Sequence, residues 1–212
     1  AQNLKGFRLH MRTLHYQSNL TFDMNVGPWN GFAATEAHYN SYEDKDLRKK
    51  GFLVGPQLTS KGEKIFDQTA NAELSFDPHI PALVMDASYT YKEIRMSGAR
   101  VIKYQVEKGA LENLNNDFPI FRYADVLLMK AESVIRQNRN GDSYVNEVRR
   151  RAGVSDWNNT TLEMLLAERG REMFCEGHRR QDLIRFNKFN DAWWEKKAST
   201  PDRKVFPILQ WA

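Results

Sequence analysis

The sequence predicts a mainly α fold in which a helical core is joined to an irregular, loop-rich layer with few short strands. Over residues 117–190, apolar residues recur at helical spacing and are broken by short polar turns, a pattern that packs successive helices antiparallel. Residues 1–116 are instead rich in Gly, Pro, Asn, aromatics and short β-branched runs, which favour loops and short strands. The 212 residues suffice for one sizeable core or two small ones. The expected division is a loop-rich segment over 1–116 and a helical core over 117–212.

In the first segment, Gly27-Pro28 and Asn30-Gly31 are turn dipeptides on either side of Trp29. Asp77-Pro78 and Ile80-Pro81 bias the residue before each proline away from helix. Residues 100–106 alternate loosely and predict a short strand. Helix is expected only in patches, such as 35–42 and 61–69.

In the second segment, Phe121, Ala124, Leu127, Leu128, Ala131, Val134 and Ile135 form one apolar stripe. Pro119 fits the first turn of that helix, where a missing N–H costs nothing. The polar run 137–141 ends it. Asp142 is expected to cap a second helix carrying Val145, Val148 and Ala152, with Gly153 as its stop. Thr160 and Glu163 have the spacing of a capping box ahead of a third helix, whose apolar face is Leu162, Leu165, Leu166, Met173 and Phe174. Gly177 is expected to end it, and 178–186 to form a short fourth helix. A 34-residue repeat of tetratricopeptide type does not align across these helices, although a single pair of that kind is compatible with them.

Composition narrows the function classes. The formal net charge of +4 is mild for this length, and Arg and Lys are interleaved with Asp and Glu, as in Glu168-Arg169 and Arg171-Glu172, so no basic stripe for nucleic acid is expected. On a helix the triplet Arg149-Arg150-Arg151 points in three directions. Cys175 is the only cysteine, which excludes an intrachain disulfide; within an apolar helical pattern it reads as a buried thiol. No run is apolar for long enough to span a bilayer. Residues 1–10 lack the pattern of a signal peptide and read as the interior of a longer polypeptide. The five histidines, His10, His15, His38, His79 and His178, show no ligand spacing, so no metal and no cofactor is expected. No phosphate loop or dinucleotide fingerprint is present.

Two constellations remain. The first is charged. Glu172, Glu176 and Asp182 each have an arginine at helical spacing: Arg169, Arg179 with Arg180, and Arg185. Glu132 with Arg136 and Glu147 with Arg151 repeat the scheme. Glu168, Glu172, Glu176 and Asp182 could include the carboxylate pair of a glycosidase. An acid held by arginine is a poor general acid, however, and planar guanidinium suits partly buried bridges between helices. The expected role is a structural ion network of Arg122, Asp125, Glu168, Arg169, Glu172, Glu176, Arg179, Asp182 and Arg185. The second constellation is aromatic. Trp29 sits between Asn25 and Asn30 on an expected loop, with Tyr16, Tyr39 and Tyr42 near in sequence. An aromatic face and amide groups are what a sugar ring and its hydroxyls need. Trp29 could equally pack under its own loop.

The helical segment also carries ordered motifs. Phe118 to Glu132 resembles a family helix opening. Asn146-Glu147-Val148-Arg149-Arg150-Arg151-Ala152-Gly153 resembles an N-x-V-R-x-R-A-G element. Glu168-Arg169-Gly170-Arg171-Glu172, then Glu176-Gly177-His178-Arg179 and Asp182-Leu183-Ile184-Arg185, resemble an E-R-x-x-E, E-G-x-R, D-L-x-R series, and Phe206-Pro207-Ile208 the start of a final F-P-I-P. Trp29-Asn30-Gly31 and Tyr42-Glu43-Asp44-Lys45-Asp46-Leu47-Arg48 are similar to weaker stretches. Together they resemble the SusD/RagB family, with Leu209 in place of its usual second proline. The resemblance implies the C-terminal half of a SusD-like fold with tetratricopeptide-like helical packing. It implies a non-enzymatic lipoprotein at the bacterial outer-membrane surface that binds glycan and passes it to a SusC-like TonB-dependent transporter. No cofactor and no nucleic acid are implied, and membrane attachment is expected only through a lipid anchor outside this chain. The glycan contacts are then expected at Trp29, Asn30, Tyr16, Tyr39 and Tyr42. Two alternatives stand: a RagB-like surface lipoprotein that takes peptide, and a glycoside hydrolase.

Overall fold

The computed structural model describes residues 6–206, so Pro207, Ile208 and Leu209 of the last motif lie outside the described residues. The chain divides into two compact units, Ala1–Pro119 and Ile120–Ala212. Among the described residues the structure is mainly helical, with strands only two residues long.

The first unit opens with two one-turn helices, α1 (Leu9–Thr13) and α2 (Ser18–Phe22). Alpha-1 is held by side chains as well as packing: Thr13 Oγ1 donates to the Val101 carbonyl at 2.7 Å, and His10 Nε2 lies 2.9 Å from the Leu111 carbonyl. A third short helix, α3 (Glu36–Asn40), starts where Thr35 accepts the His38 N–H. A 3-10 turn (Leu47–Gly51) follows. Three antiparallel ribbons come next. Strand β1 (Phe52–Leu53) pairs with β6 (Arg100–Val101), β2 (Gly55–Pro56) with β5 (Ser75–Phe76), and β3 (Phe66–Asp67) with β4 (Ala72–Glu73). Helix α4 (Tyr91–Met96) begins in a full capping box between Thr90 and Glu93. Met11, Leu14, Met24, Ala110 and Leu114 form one buried cluster, and Ile65, Leu74, Phe76 and Met96 a second.

Residues 61–69 are not helical. Burial alternates there, with Ile65 and Asp67 inside and Phe66 outside, which is the period of a strand. Gly62 (φ +84) and Asn71 (φ +49) put left-handed corners on either side of that run. The strand expected over 100–106 shortens to Arg100–Val101.

The second unit holds α5 (Tyr123–Ile135), α6 (Asp142–Arg151), α7 (Leu162–Glu172), α8 (Arg179–Arg185) and a 3-10 turn (Pro201–Lys204). Helix α5 packs on α6 and α7, and α7 on α8. The core is Ala124, Leu127, Leu128 and Ala131 against Val145, Val148 and Leu165.

Four boundaries differ from expectation. Helix α5 starts at Tyr123, so Pro119 is not in its first turn; Ile120 and Phe121 ahead of it are exposed. Asp142 does not cap α6, whose N-cap is Gly141; its carboxylate instead accepts the N–H groups of Asn159 and Thr160 and pins the next loop. The cap of α7 is Thr161, which accepts the Met164 N–H, and Thr160 one residue earlier donates its own N–H to Asp142. Helix α7 stops at Glu172, before Gly177. Cys175 (φ +61) lies in the intervening turn, half-buried and not within a helix.

Candidate functional site

The aromatic loop of the first unit is braced by backbone. The N–H groups of Trp29, Asn30 and Phe32 donate to the carbonyls of Met11 (2.7 Å), Leu14 (2.9 Å) and Arg12 (2.8 Å). These carbonyls belong to α1 and its C-cap. Such close docking requires glycine. A Cβ on Gly31 would lie 2.9 Å from the Arg12 carbonyl oxygen, and one on Gly27 3.0 Å from the Tyr16 carbonyl oxygen. Asn30 takes a left-handed turn (φ +54). The result is a fixed loop that leaves Trp29 38% exposed, with the Arg12 guanidinium 5.8 Å from its ring centroid.

Tyr16 belongs to the same neighbourhood and is 43% exposed. Arg95 lies over its ring at 4.5 Å, and the His15 ring meets it edge-on at 5.5 Å. The Asn30 amide turns inward: Nδ2 donates to the Arg95 carbonyl at 3.5 Å, and Oδ1 is sealed from solvent, so its side chain braces the loop. Tyr42 is only 3% exposed and packs in an aromatic cluster with His38 and Phe52, its hydroxyl 3.2 Å from His38 Nε2. Burial leaves it no face for a ligand. Tyr39 is half-buried, edge-on to Phe52, under Lys49 Nζ at 4.7 Å. Of the five aromatic and amide positions, Trp29, Asn30 and Tyr16 therefore come together, and Tyr39 and Tyr42 form a separate group. Arg95 was not marked by the sequence: it lies 65 positions from Asn30, and nothing local signals the contact.

Beneath Tyr16 is a buried polar cluster. Asp67 Oδ2 is 2.7 Å from Arg95 Nε and 3.1 Å from His15 Nε2. His15 Nδ1 accepts the Gln17 N–H, which places the ring proton on Nε2, facing Asp67. Burial holds the His15 pKa down at about 4, with Arg100 and Arg95 reinforcing it against the opposing pull of Asp67. Burial also pulls the Arg100 guanidinium down to about 10.

In the second unit the charged motifs form a network that runs mostly between helices. Arg122 donates to Glu172 and Glu176. Arg169 meets Asp125 on α5 and Asp182 on α8, both at 2.9 Å. Arg149 meets Glu168 at 3.1 Å with both side chains sealed, and stacks on Trp157 at 3.8 Å. Arg151 reaches Glu172, and Arg185 joins Glu132 to Asp182. The expected neighbours Glu132–Arg136 and Asp182–Arg185 do pair along their helices. Arg179 crosses α7 over Gly170, where a Cβ would come within 2.9 Å of it, and donates to the Leu166 carbonyl. Burial raises the Glu132 carboxyl, but the guanidinium groups of Arg185 and Arg136 outweigh it and hold the group below its ordinary range. Hydrogen bonds that Arg122 donates to Glu176 and Glu172 likewise outweigh burial and raise its pKa. Among the described residues no cluster of three or more His, Cys, Asp or Glu is placed to hold a metal ion, and no helix is long and apolar enough to cross a membrane.

The residues of this network lie in a stretch that matches a known family. The sequence model of the SusD family matches residues 85–204. The chain belongs to the SusD family. The starch-binding protein SusD of Bacteroides thetaiotaomicron is 38% identical over 87 residues, which are 40% of this chain and 16% of that protein. The SusD-like protein P38 of Formosa agariphila is 25% identical over 190 residues, 74% of this chain and 38% of that one. A crystal structure of a SusD-like protein from Bacteroides fragilis superposes with a TM-score of 0.56 at 17% identity, covering 86% of this chain and 42% of that one, and shares its fold. The chain thus spans well under half the length of the SusD-family proteins it matches. Tyr16 and Trp29 lie outside the matched residues; Arg95 and the ion network lie within them.

Proposed function

We propose that the chain is part of a non-enzymatic, lipid-anchored protein of the bacterial outer-membrane surface that captures glycan and delivers it to a SusC-like TonB-dependent transporter. In this reading residues 1–116 carry the ligand loops and 117–212 the helical core. The observation that carries it is an exposed tryptophan, fixed by three backbone hydrogen bonds, on a chain of the SusD family. A fixed aromatic platform loses less freedom on binding a flexible sugar than a mobile one does. Its relative SusD is named for binding starch.

Hydrolysis is disfavoured by the ion network. A retaining or inverting glycosidase needs a protonated carboxyl beside the scissile bond, whereas Glu132, Glu168, Glu172, Glu176 and Asp182 are each engaged by one or more guanidinium groups. The test is affinity electrophoresis through gels that contain single polysaccharides, with reducing sugar assayed in parallel. Retardation that Trp29→Ala removes, with no sugar released, supports the reading. Release of sugar, or retention by peptides and by no polysaccharide, overturns it.

A further inference from the structure

The patch around Tyr16 and Trp29 contains a cation that stacking on a neutral sugar does not require. Arg95 lies over the Tyr16 ring, with its guanidinium carbon 4.5 Å from the centroid. Its Nε is fixed to Asp67, and Asp67 is itself tied to the N–H groups of Thr69 and Ala70. Stacking occupies the face of a guanidinium and leaves its N–H edge open. The Nη groups of Arg95 make no hydrogen bond to any described residue, and the side chain keeps 18% of its surface open. Arg95 is thus held from behind and below, with its donor edge unused.

The surroundings are positive. Arg100 is buried against Phe76, with the carbonyls of Ser97 and Arg95 as its acceptors, and no carboxylate pairs with it among the described residues. It lies near enough to Tyr16 for the two side chains to interact electrostatically. A buried guanidinium without a counter-charge is costly to a fold, and its field is weakly screened. Arg12 stands beside Trp29. Three guanidinium groups therefore gather at this patch against the single carboxylate of Asp67, while His15 is neutral near pH 7. The Trp29 loop reaches the Arg95 segment, because the amide of Asn30, next to Trp29, bonds the Arg95 backbone carbonyl.

We infer that this patch takes an anionic sugar, whose carboxylate or sulfate is bound by the Nη edge of Arg95 while an adjoining ring stacks on Trp29. The inference rests on the glycan reading given above. A fork of two parallel N–H donors matches either anion. Tyr16 acts as a positioning residue that keeps the fork in plane.

Matched pairs of probes test it on the purified chain: polygalacturonate against its methyl-esterified form, and dextran sulfate against dextran. The charged member of at least one pair should bind at least tenfold more tightly. Preference in the first pair assigns a carboxylate, and in the second a sulfate. Arg95→Gln should abolish the preference. Arg139→Gln, at an exposed arginine of the other unit, should leave the preference intact. Arg95→Lys keeps the charge but loses the fork, and Tyr16→Phe keeps the stacking ring; the first should weaken the preference and the second retain it. These two variants carry the test if Arg95→Gln fails to fold. Equal binding within both pairs, or a loss on Arg139→Gln as large as on Arg95→Gln, overturns the inference and leaves neutral glycan binding standing. Binding of none of the four probes overturns the inference, while the glycan reading is judged on the wider set of polysaccharide gels.

Discussion

Arg169 on α7 donates through Nε to Asp182 on α8 at 2.9 Å, and each side chain is only 2% exposed. Asp125 on α5 meets the same guanidinium from the other side. Three helices are thus joined through one buried cation. Removing one partner of such a group strands the others in low dielectric, which costs about 3–5 kcal/mol. Arg169→Met should therefore lower the unfolding free energy by roughly that amount in urea denaturation. An unchanged midpoint would show that the network does not hold the helices together.

The same logic applies where Arg122 meets Glu172 and Glu176. Both Glu172 oxygens accept from Arg151, and one accepts from Arg122 as well. Glu172→Gln should destabilise the chain by a few kcal/mol, since a neutral amide cannot satisfy two guanidinium groups. Glycan binding per folded molecule should stay the same. Calorimetric titration alongside a thermal melt separates the two, and lost affinity at an unchanged Tm would place Glu172 in a site.

These pairings show what a single sequence can and cannot disclose. The apolar stripe of Leu127, Leu128 and Ala131 was legible because burial enforces a helical period. The start of α5 was not, because Ile120 and Phe121 extend the apolar run without packing inside. Capping-box spacing to Glu163 points to Thr160, yet Thr161 is the cap, and Thr160 bonds Asp142, 18 positions away, through its N–H. Spacing found the arginine–carboxylate motifs and some pairs along one helix, such as Asp182–Arg185. It missed Arg169–Asp125 and Arg122–Glu176, since an arginine reaches a neighbouring helix as readily as the next turn of its own. At the aromatic patch, Trp29 and its glycines were legible as a loop, but the inward amide of Asn30 and the presence of Arg95 depend on contacts between distant segments.

His15 sets a pH dependence that can be separated from that of the acids. Its pKa in the fold is about 4 against an ordinary 6.5, so between those values the unfolded chain binds a proton that the folded chain does not. Stability from this group is therefore complete above pH 6.5, declines as pH falls towards 4, and is flat below. The loss is on the order of 3 kcal/mol at one proton per molecule. Asp67 and Glu132, both held below their ordinary values of 3.8 and 4.5, keep their contribution above those values and lose it as pH falls through them, after most of the His15 decline. Urea melts at pH 7, 5.5 and 4.5 should show the decline, and His15→Gln should flatten it. An unchanged slope in the variant would assign the proton elsewhere.

The most direct test of the braced loop uses glycine. Gly31 sits where a Cβ would come within 2.9 Å of the Arg12 carbonyl oxygen, and backbone on a packed helix cannot retreat cheaply. Gly31→Ala should therefore push the loop off α1, weaken the hydrogen bonds from Trp29 and Phe32, and tilt the indole without removing it. Trp29→Ala removes the ring and leaves the backbone bonds in place. If the fixed ring is the platform, both variants lower glycan affinity. Trp29→Ala should lower it about tenfold or more, since loss of a stacked aromatic contact reaches about 1.4 kcal/mol. Gly31→Ala should also lower Tm, whereas the 38% exposed Trp29 should cost less stability. Tryptophan fluorescence of Gly31→Ala should shift towards that of a more solvated indole. If Gly31→Ala melts early yet binds normally, the loop is a packing element, and the ligand must contact another surface.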